Sequence, residues 1–390
     1  MTSSRRGYEG VAVAVPVTVP YVRHSVNSSQ WFAAKALEAL LDASGLDKRE
    51  VDGISISSFL LMPDTVVGLT QQLGLVPRWM DHVPTGGASG VMALRRAARA
   101  VQCGDADVIA CIGADTNHVG SFRQGLANFS QNAKDATYPY GAGGPNSIFS
   151  LITAHYMHKT GAVREDFGKI AVSQRANATR NPNALLRSPI GMQDYLEARA
   201  ISEPIHLLDC VMPCAGAEGF LVMREKKAKA LGLDHVYLRA AIERHNAYTE
   251  DPIMVRGGWA MDSQELYAQA GVRPADIDVM HTYDDYPVIV LMQFEGLGFC
   301  GQGEGPEFVR AHTFTHDGTF PHNTSGGQLS AGQAGAAAGY LGLNETIRQL
   351  TAGAGERQVD QAHWGLATGF GIVNYDRCVC TGAVILEAAA

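Results

Sequence analysis

The stretch Pro84-Thr85-Gly86-Gly87-Ala88-Ser89-Gly90 is the part of the chain best suited by composition to chemistry. It is a glycine-rich turn running straight into an apolar helix that begins near Val91. A helix N-terminus behind such a turn offers unpaired backbone N–H groups and a positive dipole end, which suits an anion or a developing oxyanion. Ser89 could donate a hydrogen bond there or act as nucleophile, although the turn lacks the full G-x-S-x-G elbow; it could equally cap the helix. Seven cysteines are present, yet none lies nearer to the turn than Cys103. Cys210 and Cys214 have no histidine companions, so a zinc site is not expected.

The elements that must hold this turn can be read on either side of it. Val11, Val13, Val15 and Val17 alternate as in a strand, and Ser28-Ser29 announce a helix with Phe32, Ala36, Leu37, Leu40 and Leu41 on one face and Gly45 as its stop. The alternating strand Val51–Ser57 follows. The same helix, turn and strand recur late in the chain as Glu265–Gly271 and Ile277–Tyr283, with Gly45 to Val51 and Gly271 to Ile277 equally spaced and Asp52 matching Asp278. Thr85-Gly86-Gly87 and its helix also resemble Thr324-Ser325-Gly326-Gly327 followed by a small-residue helix through Ala331–Gly339. Two motif pairs in the same order predict a duplicated design. The charged run Arg224–Lys229, closed by Gly232, marks the expected boundary between halves 1–232 and 233–390. Residues from about 117 to 209 do not fit the repeat and read as an inserted loop domain that would shape a substrate tunnel.

Composition bounds the partners. The 390 residues are 46% hydrophobic and 18% charged, a globular balance, and the formal net charge of −8 argues against nucleic-acid or anionic-membrane binding. An anionic small molecule would need a local site. An odd number of irregularly spaced cysteines reads as reduced thiols in a cytoplasmic protein. Arg5-Arg6 superficially matches a twin-arginine signal, but Pro16 and Pro20 interrupt the apolar run behind it. No window is long and apolar enough to span a bilayer as a helix.

Two βαβ-type halves that present glycine turns to a shared cleft resemble the thiolase superfamily, and further motifs carry the likeness. Asn323-Thr324-Ser325-Gly326-Gly327 followed by Gly332-Gln333-Ala334-Gly335-Ala336-Ala337-Ala338-Gly339 resembles a segment that normally reads N-P-x-G-G and then G-H-P-x-G-x-x-G. Tyr283-Asp284-Asp285-Tyr286 falls where sterol-carrier-type thiolases have H-D-C-F. Tyr138–Gly141, His155–Gly161, Arg175–Ala178 and Gly355–Val359 match as well. The likeness is nearest to the lipid-transfer-protein branch, which includes steroid side-chain aldolases and the thiolase-like subunit of multicomponent acyltransferases. It implies a five-layered α/β/α/β/α thiolase fold, a homodimer, a small OB-fold partner of zinc-ribbon type, and a CoA thioester as substrate with no bound cofactor.

The departures from that pattern bear on mechanism. The resemblance places Gly87 where a thiolase carries its nucleophilic cysteine at a helix N-terminus, and Gln333 where the G-H-P histidine would stand. Gln333 can donate an N–H bond to a thioester oxygen but cannot shuttle a proton. Cys380-Thr381-Gly382 fits the family's C-x-G literally, whereas Thr368-Gly369-Phe370-Gly371 matches the loop that normally carries it; in that register Cys378 and Cys380 are strand residues. Without an acyl-cysteine, the expected reaction is non-covalent: retro-aldol or aldol chemistry on a 3-hydroxyacyl-CoA. Tyr283 is the acid/base candidate by its place in the family motif, its phenol needing a pKa depressed by nearby donors. His118 is a candidate proton shuttle, Gly87, Ser89, Asn323 and Gly369 a candidate oxyanion pocket, and Arg175, with Arg180 and Arg187, a candidate contact for the CoA phosphates. Two alternatives remain at this point: an acyltransferase-complex subunit with the nucleophile on another chain, and a non-catalytic acyl-CoA or lipid carrier.

Overall fold

A computed structural model describes residues 7–61, 65–120 and 134–389. Eleven strands are β1 (Val11–Val22), β2 (Gly53–Ser57), β3 (Trp79–His82), β4 (Val108–Asp115), β5 (Ala200–Ser202), β6 (Ile205–His206), β7 (Ala215–Arg224), β8 (His235–His245), β9 (Val279–His281), β10 (Trp364–Asn374) and β11 (Arg377–Ala388). Nine of them form one mixed sheet in the order β3-β2-β4-β7-β1-β8-β11-β10-β9. Its middle is the antiparallel pairing of β1 with β8, through Ala12↔Tyr237, Val13↔Val236 and Ala14↔His235. Read outward from there, the two sides repeat: first strand, last strand, then parallel strands. In place of a fifth strand on the second side stands a single bridge, Met280↔His322.

Strand periodicity sorts side chains into separate cores. In β4, Val108, Ala110 and Ile112 face an outer core with Phe32, Leu37 and Leu40 of the Ser29–Ser44 helix, while Ile109 and Cys111 face a central core. In β11, Val384 and Leu386 enter that same central core, and Ala383 and Ile385 face a third one with Trp259, Leu266, Leu291 and Phe294. The central core is filled by two helices, Ser89–Cys103 and Ala338–Leu350, through Val91, Leu94, Ala98, Tyr340, Leu343 and Ile347. The two halves of the sheet, joined at β1 and β8, lie on either side of the helix pair, which gives helix, half-sheet, helix pair, half-sheet, helix, the five-layered arrangement of the thiolase fold.

The repeat recurs in detail. Gly45 (φ 69°) and Gly271 (φ 75°) end their helices in the left-handed conformation. Asp52 accepts the N–H groups of Asp107 and Val108 at the start of β4, and Asp278 those of His363 and Trp364 at the start of β10. One expectation needs correcting. Ala331–Gly339 is not a continuous helix: a short helix covers Gly327–Ala331, Gln333 bridges to Pro213, and the long helix starts only at Ala338 behind a 3₁₀ turn, Gly335–Ala337. The counterpart of the Gly86–Ala88 turn is therefore Gly335–Ala337, not Thr324–Gly327. Gly332 (φ 116°) and the bridge to Pro213 break the helix. Among the described residues no helix is long and apolar enough to cross a membrane.

Candidate active site

The central helices start against each other. A Cβ on Gly90 would stand 2.2 Å from the Gly339 carbonyl oxygen, and one on Gly339 would stand 2.9 Å from that of Gly87, so the two N-termini meet backbone to backbone. Beside this crossing lies the loop between β9 and the Pro287–Gly296 helix, which carries Tyr283, Asp284 and Asp285. The Tyr283 backbone N–H donates to Thr368 Oγ1 at 3.0 Å, and the Gln293 amide donates to the Tyr283 carbonyl at 2.8 Å. The ring stacks on Phe370, which stacks in turn on Trp259.

This fixed ring explains the glycine at 87. A Cβ built on Gly87 would lie 2.0 Å from two Tyr283 ring carbons and 2.5 Å from the Phe370 carbonyl oxygen. The space that a side chain at 87 would use is already occupied by the tyrosine. A side chain at 87 and the Tyr283 ring in this position thus exclude each other.

Tyr283 does not have the depressed pKa expected from sequence. Burial, together with the neighbouring Asp285 charge, drives its phenol well above the ordinary value. Burial is the main cause, the hydrogen bond to the Asp285 carboxylate adds to it, and a single donor, Gln333 Nε2 at 3.1 Å, does not offset the two. Tyr283 is therefore held in its protonated form and is not available as a base. The base-like group is Asp285, which sequence reasoning passed over. Burial of its carboxyl, opposed by hydrogen bonds from Tyr283 and Gln333 and reinforced by Asp284, raises its pKa to about 7. Gln333 Nε2 donates to Asp285 Oδ1 at 2.5 Å. Asp285 and Gln333 remain partly exposed while Tyr283 is buried, so the group opens to solvent on the carboxylate side.

Asn323 joins Tyr283 in lining a pocket with Thr282, Ser325, Gly339 and Thr368. It has φ 41°, is 2% exposed, and its buried Nδ2 has no hydrogen-bond partner among the described residues. A buried donor without an acceptor is costly unless a ligand or water completes it. The Gly86 and Gly87 N–H groups stand in the first turn ahead of the Ser89–Cys103 helix, where a helix supplies no partner of its own, and they meet no side-chain acceptor among the described residues. The adjoining His322 gives its Nε2 to the Thr282 hydroxyl at 2.8 Å.

Four expected site residues are placed elsewhere or otherwise engaged. His118 is exposed after β4, with Nδ1 2.7 Å from the Ser25 carbonyl oxygen, at the surface rather than in the buried group around Tyr283. Ser89 is fully buried: its Oγ donates to the Val83 carbonyl at 2.8 Å and accepts the Thr85 N–H at 3.2 Å, so it ties the turn rather than facing a substrate or capping the helix. Gly369 lies within β10, not in a loop, and allows that strand to approach Ala88, whose Cα would stand 2.6 Å from a Cβ at 369. Arg175 is buried, with Nε on Ser330 Oγ at 3.0 Å and an amino group on the Ser188 carbonyl at 3.1 Å, and so is not presented to phosphates in solvent. Arg180 and Arg187 are exposed.

Gln333 also differs from expectation. Its amino group is spent on Asp285 and Tyr283, and its carboxamide oxygen takes no hydrogen bond among the described residues. Cys378 and Cys380 lie in β11; burial raises both thiols, Cys380 to about 12. Neither thiol is prepared to ionise.

Comparison with known proteins agrees with this geometry. Residues 240–382 match the family model described as thiolase C-terminal domain-like. The chain is 31% identical over 345 residues to the 17-hydroxy-3-oxo-4-pregnene-20-carboxyl-CoA lyase of Mycobacterium tuberculosis, covering 84% of this chain and 88% of that protein. It is 30% identical over 354 residues to a steroid side-chain-cleaving aldolase of Thermomonospora curvata, covering 86% and 89% respectively. The solved Ltp2-ChsH2(DUF35) aldolase superposes with a TM-score of 0.84 at 28% identity, over 97% of this chain and 98% of that one. The chain belongs to the thiolase superfamily, alongside its steroid side-chain-cleaving aldolases.

Proposed function

We propose that this chain is an acyl-CoA lyase that cleaves a 3-hydroxyacyl-CoA by a retro-aldol reaction, with Asp285 and Tyr283 moving the protons. The observation that carries the reading is the Tyr283 ring standing in the space of a residue-87 side chain, hydrogen-bonded to a carboxyl held at about 7. Asp285 takes the proton of the β-hydroxyl as the Cα–Cβ bond breaks, leaving a carbonyl product and the enolate of the shortened acyl-CoA. The enolate oxygen is received by the open N–H groups of the Gly86–Gly87 turn and by Asn323 Nδ2, donors already fixed before the reaction. Tyr283 gives its proton to the enolate carbon, and the proton on Asp285 then restores the phenol. No acyl-enzyme forms, and protons balance over the cycle.

The names of the relatives support a bulky, steroid-like acyl group and a DUF35-type partner for this chain too, and we extend the partner to the OB-fold, zinc-ribbon kind. We extend the reading to a cytoplasmic homodimer. The test is a panel of 3-hydroxyacyl-CoA thioesters with and without a co-expressed DUF35-type partner, monitored for carbonyl product. Asp285→Asn should lower kcat by about 10³-fold and Tyr283→Phe by about 10²-fold, within the range for positioned acid–base groups. In the wild type, kcat/KM should fall as pH drops below about 7, because Asp285 must be ionised to accept a proton. Turnover by Tyr283→Phe at the wild-type rate would exclude the assigned acid. An acyl adduct on the intact protein would replace this mechanism with a covalent one.

A further inference from the structure

Asp284 precedes Asp285 but points the other way. It is 1% exposed, and it accepts the Gln328 N–H at 3.0 Å and the Leu329 N–H at 3.2 Å, at the start of the short Gly327–Ala331 helix. A Cβ on Gly327 (φ 58°) would lie 2.3 Å from Asp284 Oδ2, so glycine is what lets the carboxylate come this close. Gln328, whose backbone is held in this way, is 2% exposed, and its Oε1 lies 3.4 Å from Gln333 Nε2. A continuous path thus runs from Asp284 through Gln328 and Gln333 to Asp285.

An ionised Asp285 orients the Gln333 amide by itself, because the reversed amide would set oxygen against carboxylate. Once Asp285 carries the substrate proton, that preference is lost: a reversed Gln333 could accept the Asp285 proton and hold it away from Tyr283. Gln328 Oε1 opposes the reversal at this stage, since it would then face the Gln333 oxygen. We propose that Asp284 and Gln328 are positioning residues, which keep the Gln333 amino group turned toward Tyr283 and Asp285 throughout the catalytic cycle. This rests on the acid–base roles assigned above to Asp285 and Tyr283.

The charged and titratable surroundings of Asp285 are Tyr283, Asp284 and Tyr286 from its own loop and Cys378 from β11, with uncharged Gln333 opposite. No cation is among these groups, and burial raises Asp284 to about 7 as well, so the two carboxyls titrate as a pair and removing Asp284 as a like charge should favour ionised Asp285. The experiment measures kcat, KM and the pH dependence of kcat/KM for wild type, Asp284→Asn, Gln328→Met, Gln328→Glu and Asp285→Asn, with thermal melts of each. Gln328→Met should lower kcat about 10-fold at nearly unchanged KM, and Gln328→Glu, which keeps an acceptor, should recover most of it. Asp284→Asn should move the acidic limb to lower pH by about half a unit to one unit, the size of a like-charge effect. If Asp284→Asn does not fold, the Gln328 pair decides. An unmoved limb, or a Gln328→Met loss that merely follows its melting temperature, overturns the positioning role while leaving the lyase reading intact. A wild type with no limb near neutrality, or Asp285→Asn retaining it, overturns both.

Discussion

At the start of the Ala338–Leu350 helix a protein carboxylate is already in place: Asp115 accepts the Ala336 N–H at 2.7 Å. At the start of the Ser89–Cys103 helix the Gly86 and Gly87 N–H groups meet no carboxylate or other side-chain acceptor among the described residues. The two ends are related by the internal repeat and lie in contact, yet one is closed and the other open. Asp115 also accepts Ser58 Oγ at 2.7 Å and the N–H groups of Phe59 and Leu60, so the closed end ties three segments together. Burial raises its carboxyl to about 6 against the pull of these donors. The same dipole and the same kind of helix start thus serve cohesion at one end, while the other carries no protein carboxylate among the described residues.

Filling the open end is the severest way to break this contrast. Gly87→Ala should cost about 10²–10³-fold in kcat, the scale for losing an oxyanion contact, because its methyl drives the Tyr283 ring aside. Gly87→Cys should show the same loss, with no acyl mass on the intact protein after incubation with acyl-CoA. Gain of a stable adduct would mean that the ring yields more readily than its stacking on Phe370 implies.

Emptying the closed end should act on stability instead. Asp115→Ala removes the acceptor shared by Ser58, Phe59, Leu60 and Ala336 and should destabilise the fold by about 3 kcal/mol, read by urea melts, with kcat changed less than at Gly87. A kcat loss as large as that of Gly87→Ala, with unchanged stability, would dissolve the distinction. The smallest effect belongs to Cys378→Ala and Cys380→Ala. These thiols pack within β11, so turnover should change by less than about 2-fold, although stability should fall modestly.

Much of the scaffold was legible in the sequence because local rules govern it. The equal spacing from Gly45 to Val51 and from Gly271 to Ile277 reflects helix stops and turns that close within a few residues, and the glycine turn at 84–90 announces its own helix. The site was only partly legible. Asp285 was passed over because its pKa depends on burial beside Gln333 and Asp284, which spacing does not report. Ser89, His118 and Arg175 have the right chemistry in suggestive places, but each is engaged in a hydrogen bond that spacing does not report: Ser89 within its own turn to Val83, His118 and Arg175 across the fold to Ser25 and Ser330. The Gly335–Ala337 turn was misplaced because the run of small residues hides the break at Gly332.

The mutual exclusion of the Tyr283 ring and any side chain at 87 also constrains how such a site can change by mutation. A cysteine codon introduced first meets the ring, and a tyrosine codon introduced first into a cysteine-bearing ancestor meets the thiol; each substitution is harmful until the other has occurred. An adaptive path between covalent and non-covalent chemistry on this scaffold must therefore pass through an idle intermediate lacking both groups, or change both codons together. A library that varies 87 and 283 jointly should recover functional pairs that single steps reach only through an inactive intermediate.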